Sequence, residues 1–367
     1  LATELRSYYS DAYIQLIADE LSKTADINSN LFKAEVLGGN WVELSLKERS
    51  ARLTQCLVNF LPDDPHEGIA ILKSLLPKIS GDAQKYADML CIFIPDYVSH
   101  YKNTLPLEDA LDALCYFTSN GTTSELAVRP FLLEHPSEVL SIQRNWLAHE
   151  HPHVRRWISE GCRPRLPWAP ALPQFKIDPK PILQILDALV EDTSKFVQKS
   201  VANNLNDISK DNPEIALQFA ENRLGKSPQT DWILKHGLRG LLKSGNPKAL
   251  ALFGAMPVKL RNPKLTLELP SIHLGQSQTF DFSAHIDAPL PSTLRLEYAM
   301  DFRKANGLTS RKIFMISEKK PADPQIQIRK SHKFVDYTTR RHYSGQHSIT
   351  ILVNGAEVAS HDFDLIR

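Results

Sequence analysis

The period of the apolar residues changes once along this chain, and that change constrains what it can fold into. From residue 1 to about 257, apolar residues recur at spacings of three and four, as in Tyr13, Leu16, Ile17 and Leu21, or Leu53, Leu57, Phe60 and Leu61. That spacing gathers side chains on one face of a helix. Polar turns punctuate the run at LPDDP (61–65), SKDNP (209–213) and KSGNP (243–247). From about residue 264 the period drops to two. In TFDFSAHI (279–286), Phe280, Phe282, Ala284 and Ile286 share one face, and STLRLEYAM (292–300) alternates Leu294, Leu296, Tyr298 and Met300. IQI (326–328), SITILVN (348–354) and VASHDFDLI (358–366) follow, with Asn354–Gly355 marking a hairpin turn of the primed type. The expected architecture is multidomain, α then β. An all-α domain of HEAT-like helical repeats spans 1–257, and an antiparallel immunoglobulin-like β-sandwich of about seven strands spans 258–367. A chain of 367 residues is also expected to need more than one core.

The helical part carries a weak internal repeat. SKFVQKSVANNLNDISKDNP (194–213) aligns with TDWILKHGLRGLLKSGNP (230–247) at an offset of 36, matching Phe196 with Trp232, Val197 with Ile233 and Lys199 with Lys235. HPHVRRWISEG joins the frame at an offset of 43, matching Val154 with Val197, Arg156 with Lys199 and Ile158 with Val201. Units of this length point to stacked helix pairs, which bury one face on each neighbour and leave a long concave surface for binding.

Composition excludes several classes. The four cysteines, Cys56, Cys91, Cys115 and Cys162, form no CxxC, which argues against a disulfide framework or zinc site and favours a reducing, cytoplasmic setting. No apolar run approaches eighteen residues, so no membrane span is expected. The first residues, LATELRSYYS, lack the apolar centre of a signal peptide, and the missing initiator Met is what a trimmed chain would show. Without a GxGxxG, Walker or GxSxG motif, nucleotide cofactors and serine hydrolase chemistry have no support. His149, His151 and His153 lack the spacing of metal ligands; a His–Pro helix start or a phosphate contact fits them better.

Net charge is only +1, but its distribution is uneven. Residues 301–345 hold eleven Lys/Arg against four acids. Within them, KANGLTSRK (304–312) and TTRRHYSGQH (338–347), with Arg340 and Arg341, mix cations with small polar donors, a composition suited to clamping phosphates. The second basic stretch is HPHVRRWISEGCRPRLPW (151–168). Its first half reads as the end of a helix, and its second as a stiff excursion set by Pro164, Pro167, Pro170 and Pro173. Glu160 lies off the apolar face, among Arg155, Arg156, Arg163 and Arg165. The ordinary use of such a Glu is an i,i+4 pair with Arg156. Asp207 shares a face with Ser200 and Asn203, and Glu125 lies beside apolar residues in SELAVRPFL. Trp168, carried on the prolines, can pack or can present its ring to a cationic ligand.

Taken together, TSELAVRPFL (123–132), HPHVRRWISEGCRPRLPWA (151–169), SVANNLNDISKDNP (200–213) and LKHGLRGLLKSGNPKAL (234–250) resemble the DNA alkylation repair proteins of the AlkC type, relatives of AlkD built on HEAT-like repeats. DYTTRRHYSGQHSITILVNG (336–355) resembles the immunoglobulin-like extension of part of that group. The resemblance covers roughly 105–367; the first hundred residues carry no motif of it. It implies a monofunctional DNA glycosylase, acting as a monomer without metal, nucleotide or other cofactor on double-stranded alkylated DNA. It would excise 3-methyladenine and 3-methylcytosine without swinging the lesion into a deep pocket. By motif match the catalytic acids would be Asp207, Glu160 and Glu125, and Trp168 would approach the lesion. Arg155, Arg156, Arg163 and Arg165 would contact phosphates or balance charge, and Arg340 and Arg341 would add contacts from the sandwich. The competing expectation is a non-catalytic helical scaffold that binds DNA or protein.

Overall fold

The computed structural model describes residues 6–80, 87–337 and 340–367. Residues 1–5 of the N-terminal stretch and Thr338–Thr339 of the basic segment 338–347 lie outside the described residues. Packing divides the chain into two compact units, Leu1–Gly237 and Leu238–Arg367.

Among the described residues, the regular elements of the first unit are all helices. Its early helices are α1 (Asp11–Ser22), α2 (Ser29–Leu37), α3 (Leu46–Phe60), α4 (Pro65–Ser80), α5 (Ala87–Leu90), α6 (Phe93–His100) and α7 (Leu107–Ser119). Then come α8 (Arg129–Glu134), α9 (Pro136–Arg144), α10 (Pro152–Gly161), α11 (Pro173–Ile177), α12 (Lys180–Leu189), α13 (Lys195–Asp211), α14 (Pro213–Glu221) and α15 (Pro228–Gly237). Many starts carry proline in the first turn, where its missing N–H costs nothing. In α1, Tyr13, Ile17 and Leu21 are buried as the spacing predicts, whereas Leu16 stays 38% exposed at the edge of the stripe.

The expected repeat appears as three neighbouring helices, with α13 packed between α10 and α15. Val154, Val197 and Ile233 occupy equivalent places and are all fully buried. The equivalence ends at Gly237. There an added Cβ would stand 2.7 Å from Leu205 Cδ2, so glycine permits the close approach of α15 to α13. The stretch aligned with the rest of α13 is instead a new helix, α16 (Arg239–Lys243).

The second unit opens with α16 and α17 (Pro247–Leu252), so packing groups these with the strands although their apolar spacing is helical. The strands are β1 (Leu260–Leu267), β2 (Ser271–His273), β3 (Ser277–Ile286), β4 (Leu294–Arg303), β5 (Thr309–Lys319), β6 (Gln325–Lys333), β7 (Gly345–Val353) and β8 (Ala356–Ile366). They form sheets of order β1-β3-β6 and β2-β8-β7-β4-β5, antiparallel except that β2 runs parallel to β8. Asn354 and Gly355 both have positive φ, 47° and 80°, as the primed turn between β7 and β8 requires. The inner faces meet in Phe280, Phe282, Tyr298, Met300, Phe334, Ile349, Ile351 and Phe363. KANGLTSRK is the connection of the β4–β5 hairpin followed by the first four residues of β5. Charge hides that strand in the sequence: β5 has no fully buried position.

Candidate functional site: an acid–arginine chain beside an exposed tryptophan

The stretch 151–168 holds a whole short helix, not the end of a longer one. The His151 ring Nδ1 accepts from His153 N at 3.3 Å, and the His149 ring Nδ1 accepts from His151 N at 3.0 Å. Two of the three histidines therefore cap the start of α10. Trp157 is fully buried, and its indole N–H donates to Ser124 O at 3.0 Å, which pins the turn carrying Glu125. At the other end, a Cβ on Gly161 would stand 2.8 Å from Val128 Cγ1, so glycine lets α10 close onto that same turn.

These contacts place the three acids in one chain of charges. Arg156 pairs with Glu125, and its Nη2 lies 3.9 Å from Glu160 Oε1. Arg163 Nη1 donates to Glu160 Oε1 at 2.5 Å, and Arg163 Nε donates to Asp207 Oδ2 at 2.9 Å. Lys210 closes the row with a 2.9 Å bond to Asp207 Oδ1. The order is Glu125, Arg156, Glu160, Arg163, Asp207, Lys210. Burial alone would lower the Arg163 pKa, but Glu160 and Asp207 outweigh it and raise the pKa. Asp207 is 1% exposed and Glu160 5%. Taking charges out of water costs several kcal/mol each before pairing, about as much as good geometry returns. Stability alone therefore gives little reason to bury this row.

Several members went unassigned in the sequence. Ser200 Oγ donates to Glu160 Oε2 at 2.6 Å, fixing the oxygen that Arg163 leaves open. Asn204, one turn on along α13, donates to Ser159 O at 2.8 Å and ties the two helices together. Of the expected polar face, Ser200 and Asp207 are buried and Asn203 is half-buried, and Asn204 beside them is buried as well; α13 packs against α10 there. Arg129, fully buried, donates to the carbonyls of Gly161 (2.9 Å), Arg163 (2.6 Å) and Pro170. Burial lowers its pKa to about 10. Nothing in SELAVRPFL marks Arg129, because its acceptors lie 32 to 41 residues downstream.

The arginines divide. Arg155 holds Asp192 through two bonds (2.6 and 3.1 Å) and the carbonyls of His149 and Glu150, so it braces the loop before α10. Arg165 makes a fork onto Asp211 at 2.9 and 2.5 Å, yet its side chain stays 40% exposed. Arg156 also lies over the Phe196 ring, 4.3 Å from its centroid. Trp168 is 46% exposed and holds φ at 67°, a left-handed conformation that costs a non-glycine residue about 1–2 kcal/mol. The prolines, the buried Leu166 and Leu172, and Arg129 beneath hold it there. In the second unit, Arg340 lies 5.2 and 5.3 Å from the Phe302 and Tyr337 ring centroids, whereas Arg341 is exposed. Among the described residues, no three His, Cys, Asp or Glu side chains are grouped to hold a metal ion. No helix there is long and apolar enough to cross a membrane.

A helical unit followed by an immunoglobulin-like sandwich is the architecture of the DNA alkylation repair proteins of the AlkC type. The profile of the family described as "DNA alkylation repair enzyme" matches residues 121–241, and that of the "YhaZ, C-terminal Ig-like domain" matches 261–367. The uncharacterised protein YhaZ of Bacillus subtilis (strain 168) is 40% identical over 99% of both chains. The alkylpurine DNA glycosylase AlkC of Pseudomonas fluorescens, solved bound to DNA with an abasic site analogue, is 35% identical over 99% of both chains, with a TM-score of 0.90. The chain belongs to the AlkC-type family of DNA alkylation repair enzymes.

Proposed function

We propose that the chain is a monofunctional DNA glycosylase that removes cationic N-methylated bases, 3-methyladenine and 3-methylcytosine, from double-stranded DNA. The observation that carries this reading is Arg163. It joins Glu160 on α10 to Asp207 on α13, directly before the loop that exposes Trp168.

A nucleoside methylated at these positions carries positive charge, so its glycosidic bond is already weakened. When that bond breaks, its electron pair goes to the base nitrogen and neutralises the base. Positive charge then develops on the deoxyribose, as it does on the sugar in glycoside hydrolysis. Fixed negative charge beside the sugar stabilises it. Asp207 is the first choice for stabilising the sugar and directing water to C1′. Glu160 shares that field, and Glu125 orients Arg156. Water adds its oxygen to C1′ and gives its proton to a carboxylate or to solvent, leaving free base and an abasic site. Arg163 keeps the two acids from repelling the phosphates. Arg156 and Arg165 face the backbone, Arg155 supports them, and Trp168 meets the lesion while the base stays largely within the helix. The sandwich adds contacts through Arg341 and its basic neighbours.

The test is release of 3-methyladenine, 3-methylcytosine and 7-methylguanine from methylated duplex, followed by alkali cleavage of abasic sites. Release of the first two supports the reading. DNA binding without strand breaks would establish the scaffold instead.

A further inference from the structure

One contact links the N-terminal helices, which carry no family motif, to the exposed tryptophan. Lys47 Nζ donates to Trp168 O at 2.6 Å, across 121 residues. Lys47 stands in the first turn of α3, behind a capping box in which the Ser45 N–H donates to Glu48 Oε2 at 2.7 Å. The start of α3 is therefore a fixed platform. It is also a poor place for a cation, because the helix dipole favours acids there. The carbonyl that Lys47 takes belongs to a bulky residue at φ 67°. Such a conformation persists only where its surroundings over-determine it. From inside, Arg129 fixes the same loop at Gly161, Arg163 and Pro170, but it donates nothing to Trp168 itself. Lys47 also opposes the effect of burial on Asp96, whose carboxyl is pushed up to about 6.

We propose that Lys47 is a positioning residue, which fixes the left-handed backbone of Trp168 and so aims its ring at the lesion. The aiming role rests on the glycosylase reading; the structural link does not. Lys47 is exposed, so its replacement leaves the core intact.

The test uses the full chain labelled with 5-fluorotryptophan. Of the five tryptophan resonances, that of Trp168 is assigned by its loss in Trp168→Phe. In Lys47→Met the Trp168 resonance is expected to shift or broaden while the other four stay in place. The melting temperature should hold. Single-turnover release of 3-methyladenine should fall roughly tenfold at saturating protein, the scale of one lost charge-assisted hydrogen bond. Lys47→Arg keeps a donor and should restore most of the rate. An unmoved Trp168 resonance overturns the proposal. So does a rate loss that disappears at saturation and steepens with salt, which would make Lys47 a phosphate contact. If the wild-type chain releases no base, the glycosylase reading fails, while the fluorine spectrum still decides whether Lys47 sets Trp168.

Discussion

Each acid in the row has a defined set of partners, so substitutions there separate chemistry from folding. Asp207→Asn keeps the shape of the side chain but removes the charge between Arg163 and Lys210. Base release is expected to fall at least a hundredfold in single turnover, with a folded circular dichroism spectrum and a lowered melting point. Undiminished release would remove Asp207 from the mechanism. Ser200→Ala is gentler. It strips one hydrogen bond from Glu160 Oε2, which should cost about 1–3 kcal/mol if the freed oxygen stays dry. A tenfold to hundredfold loss of rate at unchanged DNA affinity is the expected result. Ordinary pattern reading makes Glu160 an i,i+4 partner of Arg156, but the tight bond goes to Arg163 at i+3 and the i+4 pair is 3.9 Å long. Glu160 and Asp207 entered as candidates through family resemblance. Ser200 and Arg129 escaped because their partners lie on other elements, which neither periodicity nor motif spacing reports.

Helices and strands were more legible than side-chain partners, for a physical reason. Burial of one face leaves a period in the sequence, and the buried positions of β3 follow it without a break. β5 left no such trace because an edge strand with no fully buried residue is free to carry Arg311, Lys312 and Lys319. Close contact between elements leaves only glycines. Gly161→Ala would drive a methyl against Val128 within the turn that holds Glu125, so a loss of about 1–3 kcal/mol is expected in chemical denaturation, with reduced base release. The sandwich hides a second element-level property. His332, His342 and His347 are buried against Phe302 and Phe334, and burial lowers all three pKa values, with Arg340 adding to the effect on His332 and His342. His332 falls to about 4 from the usual 6.5. In the unfolded chain it takes up a proton near 6.5, so stability is full above that pH and declines as pH falls toward 4. Over that window His332 alone is worth roughly 3 kcal/mol. The fall in melting temperature between pH 7 and 5 should be smaller in His332→Gln than in the wild type, and an equal fall would contradict this.

At the scale of the whole chain, an almost neutral sequence is expected to bind a polyanion, and the placement of its charge resolves that conflict. The excess of cations lies in the second unit, where residues 301–345 hold eleven Lys/Arg against four acids, while in the first unit the buried Glu160 and Asp207 are paired with Arg163 and Lys210. The same sorting separates two neighbours that look alike in sequence. Arg340 spends its guanidinium on the Phe302 and Tyr337 rings, with its Nε buried, so Arg340→Ala should lower the melting point. Arg341 is exposed beside it. If the sandwich meets the duplex, Arg341→Ala should leave the melting point alone and weaken binding evenly across sequences. Each phosphate contact contributes about −0.9 to the slope of log affinity against log salt, so that slope should become shallower by about one. Titrations of wild type and both variants from low to moderate salt measure it. A slope unchanged in Arg341→Ala would remove Arg341 from the phosphate contacts. Wild-type base release with that unchanged slope would then leave the sandwich no part in gripping DNA through Arg341.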